Sequence, residues 1–198
     1  MHASVCDYIL DCLQNSIESG AALIELDIRE DSGEFFCAIR DNGCGMDKYQ
    51  LEKARDPFFT DGKKHVMRKV GLGLPFLVQA VELCGGKFSL ASEKGKGTVL
   101  EFSFPKASLD IPPLGDLSGT VRSAMCFPGN FDLRLNRSIE DSNGVKSSYT
   151  AGKNELIDIL GDLESSSNIA LLRQYLDSQE EEATAQDSVL SATPGRGE

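Results

Sequence analysis

The chain has 198 residues, a length typical of one medium-sized domain or of one domain with a small addition. Its 31 acidic side chains outnumber its 20 basic ones, and the net charge of −11 argues against a nucleic-acid-binding protein, which needs a basic face. No apolar run approaches the roughly 20 residues of a membrane span and no signal peptide opens the chain, so we expect a cytoplasmic protein without a membrane segment.

The first elements in the chain are a helix and a hairpin. Apolar residues recur at helical spacing over 5–19, and Gly20 follows where a left-handed cap is favoured. Residues 22–29 then alternate between apolar and charged side chains, as in a half-buried strand. The polar segment 30–34 is typical of a turn, and 35–40 is predicted to be the returning strand.

The next elements lead to a second hairpin. A capping-box pattern predicts a short helix over 47–55, and a basic, glycine-containing loop follows at 60–71. A strongly apolar helix is predicted over 73–84, because proline is tolerated in its first turn and a Gly-Gly pair ends it. Strands at 87–93 and 98–105, joined by a glycine turn, complete this part of the chain.

The composition changes near residue 106. Residues 1–106 carry 13 basic and 16 acidic side chains, whereas residues 107–198 carry 7 and 15. We interpret 107–180 as a small α/β extension, which either offers a docking surface or completes the core, and 181–198 as a disordered tail. The elements predicted in the extension are a helix near 114–125, a strand at 131–135, a helix near 156–160 and a helix at 168–179 capped by Asn168.

Two common phosphate-binding motifs are absent from the sequence: no Gly-Lys pair is followed by Ser or Thr, and no GxGxxG spacing occurs. A different pattern opens the chain. Asp11, Asn15 and Glu18 form a polar stripe nearly opposite the apolar stripe of the first helix, so all three can face a cleft. An amide and a carboxylate one turn apart suit Mg²⁺, although a solvated polar helix face explains the same pattern.

Three glycine-rich segments follow, and each has a plain structural alternative. DNGCG (41–45) ends a strand and offers a carboxylate that can accept from an amine, or it is only a turn. GLGL (71–74) opens a helix whose exposed N–H groups bind anions, or it is only a loop. GKGT (95–98) on its own is an ordinary hairpin turn.

In this order, the four motifs resemble the histidine-kinase-like (GHKL) ATP-binding fold of the Bergerat type. DNGCGMD is similar to its first glycine box, DPFF (56–59) to its phenylalanine box, GLGLPFLVQAVELCGG to its second glycine box, and SEKGKGTVLEFSFP to its closing hairpin. The resemblance spans 5–105 and implies a two-layer α/β (α+β) sandwich with a mixed, mostly antiparallel sheet, in a histidine-kinase-like ATP-binding domain over 1–106.

The resemblance also implies a site for ATP and Mg²⁺. Asn15 is expected to hold the metal, Asp41 to bind the adenine amino group, and the basic loop to act as a lid; a solvated basic loop is the alternative for the last. The full set of implied binding residues is Asn15, Asp41, Gly43, Gly45, Met46, Phe59, Lys64, Gly71, Leu72, Gly73, Leu74 and Thr98.

The sequence departs from the family pattern at the predicted catalytic residue, Asp11. Members that hydrolyse ATP alone usually carry Glu there, and Asp is one methylene shorter. The first helix begins almost at Met1, so a phosphoacceptor helix is not expected in this chain and the acceptor is predicted on a partner protein. The enzyme hypothesis is therefore an ATP-dependent protein kinase or weak ATPase, and the alternative is a non-catalytic, ATP-responsive binding module.

The six cysteines show no CxxC pair, and only two histidines are present. A Cys/His zinc site is therefore not expected, and reduced, mostly buried thiols are. A redox role for Cys44, beside the predicted adenine pocket, is a third hypothesis.

Overall fold

The fold is a six-stranded mixed sheet covered by helices, seen in a computed structural model that describes residues 4–54 and 73–189. The strands are β1 (Leu23–Glu30), β2 (Glu34–Asp41), β3 (Lys87–Glu93), β4 (Gly97–Pro105), β5 (Asp132–Glu140) and β6 (Lys146–Gly152). The helices are α1 (Val5–Glu18), α2 (Lys48–Ala54), α3 (Gly73–Leu83), α4 (Leu117–Met125), α5 (Lys153–Leu160) and α6 (Ser166–Val189). These confirm the predicted two-layer α/β class.

The sheet has the order β3-β4-β2-β1-β5-β6. Only β1 and β5 pair in parallel among the described strands, and the other neighbours are antiparallel. One face packs against the helices through alternating apolar residues such as Ile24, Leu26 and Leu133, all fully buried. The other face carries charged residues, where Arg40 pairs with Asp27 and Glu101 across three strands. The apolar alternation therefore decides which face of the sheet the helices cover.

Local signals explain where the helices begin and end. α1 opens on a capping box, in which the Ser4 and Asp7 side chains each accept from the other's backbone N–H. The predicted box at α2 is also present, because Gln50 N donates to Asp47 and Asp47 N donates to Gln50. α4 begins at Leu117, later than the predicted 114, because the Asp116 side chain accepts from the third N–H of that helix.

The C-terminal extension does not form a unit of its own. Its strand β5 pairs with β1 over the whole of Leu23–Glu30, and α4 packs against α1. Strand β6 was not predicted, because only Tyr149 and Ala151 give its polar sequence an inward-facing apolar pattern. The extension thus completes the sheet and the core, while its second suggested role as a docking surface stays a prediction.

The predicted disordered tail is wrong for residues 181–189, which belong to α6. Glu, Gln and Ala are good helix formers, and Ala183 is buried with its carbonyl accepting from the Ser147 hydroxyl. Residues 190–198 lie outside the described part of the chain. The predicted cap Asn168 lies inside the first turn of α6, where its amide donates to Leu160 O rather than capping the helix.

Candidate nucleotide-binding site

Helix α1 carries the first candidate residues. Ile9 and Leu13 are fully buried and hold the helix against the sheet, whereas Asp11 is half-buried and Asn15 is exposed. The predicted polar stripe therefore lies on the side of α1 away from the core. Ser16, the next residue, is buried at 5% exposure.

The Asp41 carboxylate, at the end of β2, is held at both oxygens. The Ser16 hydroxyl donates to Oδ2 at 2.9 Å, and the backbone N–H of Gly43 donates to Oδ1 at 2.9 Å. Asp41 is thus oriented by α1 and by its own turn. Ser16 is not among the predicted site residues, although a serine on the buried flank of a helix requires a hydrogen-bond partner and so indicates a polar contact.

A row of polar side chains extends from Asp41 across two further strands. Thr98 is opposite Asp41 in the β2–β4 ladder and opposite Ser92 in the β3–β4 ladder, so the three side chains share a face. The Ser92 hydroxyl lies 3.0 Å from that of Thr98, donates to Gly97 O at 2.8 Å and accepts from Met46 N at 2.9 Å. Ser92 is also absent from the predicted site residues, because a serine in a strand next to a turn has no distinctive sequence pattern.

The first glycine-rich segment packs tightly against the protein itself. A Cβ on Gly43 would overlap the Ser19 hydroxyl, and one on Gly45, which has φ +60°, would overlap the carbonyl of Glu93. These glycines were predicted to let backbone approach a flat ligand. In the structure their demonstrable role is to seat the turn against α1 and the β3–β4 hairpin.

Gly73, the first residue of α3, brings the start of that helix against α1. A Cβ built on Gly73 would lie 2.5 Å from an oxygen of the Asp11 carboxylate. The N-terminal backbone of α3, with its partial positive charge, therefore meets the polar side of α1 at Asp11. Leu74 is half-buried and packs against the core.

The remaining predicted residues fall outside the described ranges. They are the candidate binding residues Phe59, Lys64, Gly71 and Leu72, together with the rest of the basic loop. Their roles stay predictions. In the described part of the chain, Asp41, Thr98 and Met46 lie together through the β2–β4 ladder and the hydrogen bonds of Ser92, and Gly73 lies against Asp11.

A metal site built from protein side chains alone is not present, since no group of three or more His, Cys, Asp or Glu residues in the described ranges could hold an ion. Asn15 offers an amide oxygen one turn from the Asp11 carboxylate. This sparse donor set fits Mg²⁺, which commonly takes one or two protein ligands and fills its shell with water and phosphate oxygens.

All six cysteines are free, and four of them are buried. Burial raises the pKa of Cys12 to about 12 and that of Cys6 to about 11, so both stay protonated thiols at neutral pH. The prediction that most of the thiols are buried is therefore confirmed, and their reduced state stays a prediction. Cys44 is exposed, in the turn beside Asp41.

A concavity lies on the charged face of the sheet. It measures about 420 Å³, and its lining includes Asp27, Arg29 and Asn136. None of the predicted site residues lines it, so it is separate from the cluster around Asp41.

The family model described as histidine kinase-, DNA gyrase B- and HSP90-like ATPase matches residues 4–108, which is more than half of the chain. The chain therefore belongs to this ATPase family.

The curated proteins that are similar to this chain include histidine kinases. The sensor histidine kinase WalK of Bacillus subtilis is 30% identical over 99 residues, which cover 49% of this chain and 16% of that protein. The cell-division control histidine kinase PdhS of Brucella canis is 32% identical over 115 residues, which cover 52% and 11%. The chain thus matches only a small share of the length of these relatives.

Similar solved structures include a nucleotide-free catalytic domain of the histidine kinase ThkA, 25% identical over 50% of this chain and 64% of that chain, with a TM-score of 0.40. The N-terminal domain of a DNA repair protein is 13% identical and covers 85% of this chain and 59% of that chain, with a TM-score of 0.46. None of the described helices of this chain is long and apolar enough to span a membrane.

Proposed function

We propose that this chain binds ATP together with Mg²⁺ and passes the γ-phosphoryl group to a side chain of a partner protein. The observation that carries the proposal is that α1 contacts both ends of the cluster, through Ser16 to Asp41 and through Asp11 to Gly73. These two α1 residues are five positions apart, about 7.5 Å along the helix axis. One rigid helix can therefore align the base and the phosphates of a single nucleotide.

At the base end, Asp41 accepts from the exocyclic amine of adenine, with Thr98 beside it. The Asp41 carboxylate is held in one orientation by Ser16 and Gly43, so little freedom is lost when the base binds. At the other end, the N–H groups in the first turn of α3 donate to phosphate oxygens. A local positive field matters here, because the chain as a whole carries a net charge of −11.

Asn15 is the residue that holds Mg²⁺ in this proposal, through its exposed side-chain amide. When bound, the ion neutralises charge on the phosphate oxygens. Asp11 lies one turn away and orients the acceptor group or an attacking water by accepting its proton. Positioning and electrostatics supply most of the rate in phosphoryl transfer, so a short list of residues is sufficient.

The test uses ATP labelled with ³²P at the γ position, incubated with the protein and a cell extract that provides acceptors. We expect label to move to a protein band or to phosphate, and Asp11→Asn to reduce this at least tenfold while ATP binding persists. Gln14→Ala, an exposed neighbour on the same helix, is the matched control and should behave as wild type.

A non-catalytic, ATP-responsive module is the second candidate. It is favoured by the short Asp11 side chain, whose carboxylate already lies against the backbone of Gly73. On this reading wild type and Asp11→Asn bind ATP equally and neither moves the label, whatever acceptor is supplied. Absence of ATP binding by the wild type would contradict both candidates.

A further inference from the structure

We propose that Ser92 sets the base specificity of the site by fixing the direction in which the Thr98 hydroxyl donates its hydrogen. This inference rests on the proposed function and adds a residue that touches no nucleotide atom itself. Ser92 is a positioning residue, which acts through Thr98 on the choice between a 6-amino and a 6-oxo purine.

The hydroxyl of Ser92 donates its hydrogen to a backbone carbonyl. Its Oγ lies 2.8 Å from Gly97 O, and a carbonyl oxygen can only accept, so the serine hydrogen is directed to that carbonyl. Met46 N donates to the same Oγ at 2.9 Å. Ser92 therefore has no hydrogen left to donate to another group.

The next hydrogen in this chain of bonds belongs to Thr98. Its Oγ1 lies 3.0 Å from the Ser92 Oγ, and two hydroxyl oxygens at this distance need a hydrogen between them. Because the serine hydrogen is already engaged, Thr98 is the donor of this bond. The oxygen of Thr98 is left with lone pairs only, and can act toward a ligand solely as an acceptor.

The residue across the β2–β4 ladder from Thr98 also presents hydrogen-bond acceptors. Asp41 is opposite Thr98, and its carboxylate accepts hydrogen bonds from the Ser16 hydroxyl and from the Gly43 N–H. Asp41 and Thr98 thus present acceptors side by side. The amino group at position 6 of adenine has two N–H donors, whereas the 6-oxo group of hypoxanthine or guanine is an acceptor and would face two more acceptors.

This chain of bonds gives Ser92→Ala a specific consequence. Without the serine oxygen, the Thr98 hydroxyl is released to rotate and can donate to a 6-oxo group, so rejection of that group weakens. Ser92→Thr keeps the hydroxyl and suits a strand, so it should preserve the wild-type preference. Ser89→Ala is the matched control, because Ser89 is an exposed serine of the same strand.

The experiment measures dissociation constants for ATP and ITP, which differ at position 6, by calorimetry on the wild type and the three variants. We expect the wild type, Ser92→Thr and Ser89→Ala to share one ITP-to-ATP ratio, and Ser92→Ala to lower it about tenfold. A loss of packing alone would weaken both nucleotides equally and leave the ratio unchanged, which would overturn the proposal.

Thr98→Val keeps the proposal testable if Ser92→Ala does not fold, because it removes the Thr98 acceptor and leaves Ser92 in place. It should weaken ATP more than ITP and so lower the ITP-to-ATP ratio; an unchanged ratio would overturn the proposal. A wild type that binds neither nucleotide contradicts the proposed function itself. A wild type that prefers ATP, with an unchanged ratio in Ser92→Ala, contradicts only the role of Ser92.

Discussion

Two polar networks, one in each part of the chain, lie on the same face of the sheet and differ in how they are satisfied. In the C-terminal extension, Arg137 is 1% exposed and donates to Glu30 and Glu180. Glu180 also accepts from the hydroxyl of Tyr149, whose pKa is raised by burial and by that carboxylate, so that the tyrosine stays a neutral donor. The guanidinium of Arg137, the two carboxylates and the Tyr149 hydroxyl are thus hydrogen-bonded to one another within the protein.

The network around Asp41 is different because it is built from neutral hydroxyls and one carboxylate. Its hydrogens point inward, from Ser16 to Asp41 and from Ser92 to Gly97 O, and acceptor capacity is left over at Asp41 and Thr98. We call the network of Arg137 and its carboxylates closed, because its members bond to one another, and the network of Asp41 and Thr98 open, because acceptors remain. A closed network stabilises the arrangement of helices and strands, whereas an open one can bind a ligand. The Arg137 network therefore anchors α6 to the sheet, and under the proposed function the Asp41 network is the one that meets the nucleotide.

The largest expected effect is on the closed network. Arg137→Met leaves the half-buried carboxylates of Glu30 and Glu180 without their shared partner, and we expect the free energy of unfolding to fall by about 3 kcal/mol in urea titrations. Arg134→Met, on the same strand but with a side chain 57% exposed, should cost less than about 1 kcal/mol. Equal costs for the two variants would show that the buried cluster is not what anchors α6.

The next effect belongs to the open network. At ATP near 100 times its dissociation constant, with Mg²⁺, the wild type should gain about 2.7 kcal/mol in unfolding free energy, and Asp41→Asn should lose this gain. Asp27→Asn, a carboxylate-to-amide change on the opposite face of the sheet, should keep it. Thermal melts with and without nucleotide measure both, and a full gain in Asp41→Asn would remove Asp41 from the site.

A smaller effect separates the cost of a steric overlap from the cost of a positive φ angle at two glycines. Gly45 and Gly95 both have positive φ, but a side chain on Gly45 would overlap Glu93 O, whereas one on Gly95 has open space. Gly95→Ala should cost about 1 kcal/mol for its conformation, and Gly45→Ala about 2 kcal/mol or more because the turn must also shift. Chemical denaturation of the two variants compares them, and a similar cost would mean that the turn yields freely.

The sequence predicted the first part of the molecule more fully than the second, for a physical reason. Periodicity and glycine spacing reveal the elements that carry Asp11, Asp41 and Gly73, because each motif needs its own local geometry. Ser16 and Ser92 were missed, since their roles arise only when α1, β2, β3 and β4 come together. Local patterns contain no information on which hydroxyl meets which acceptor.

The C-terminal extension shows where prediction from local sequence patterns fails. β6 is an edge strand with two inward apolar residues, and its place depends on pairing with β5. The end of α6 is polar in composition, which favours disorder on average, yet Glu180 and Ala183 tie it to the sheet through Arg137 and Ser147. A long-range ion pair outweighed composition there.

The smallest expected effect is on the pH dependence of the unfolding free energy. It tests whether the Glu30 carboxylate is paired with Arg137 and Lys106 in the folded protein. Burial raises the pKa of Glu30, but hydrogen bonds from Arg137 and Lys106 outweigh it and hold the pKa below the ordinary value of 4.5. A lowered folded-state pKa contributes stability that is fully present above about 4.5 and is lost as the pH falls through the folded-state pKa. Glu30→Gln should therefore be less stable than wild type at pH 7, and the gap should narrow below about pH 4.5. Urea titrations of the wild type and Glu30→Gln across this pH range measure the gap. A constant gap would mean that the loss is one of packing, because packing does not depend on the protonation of the carboxylate.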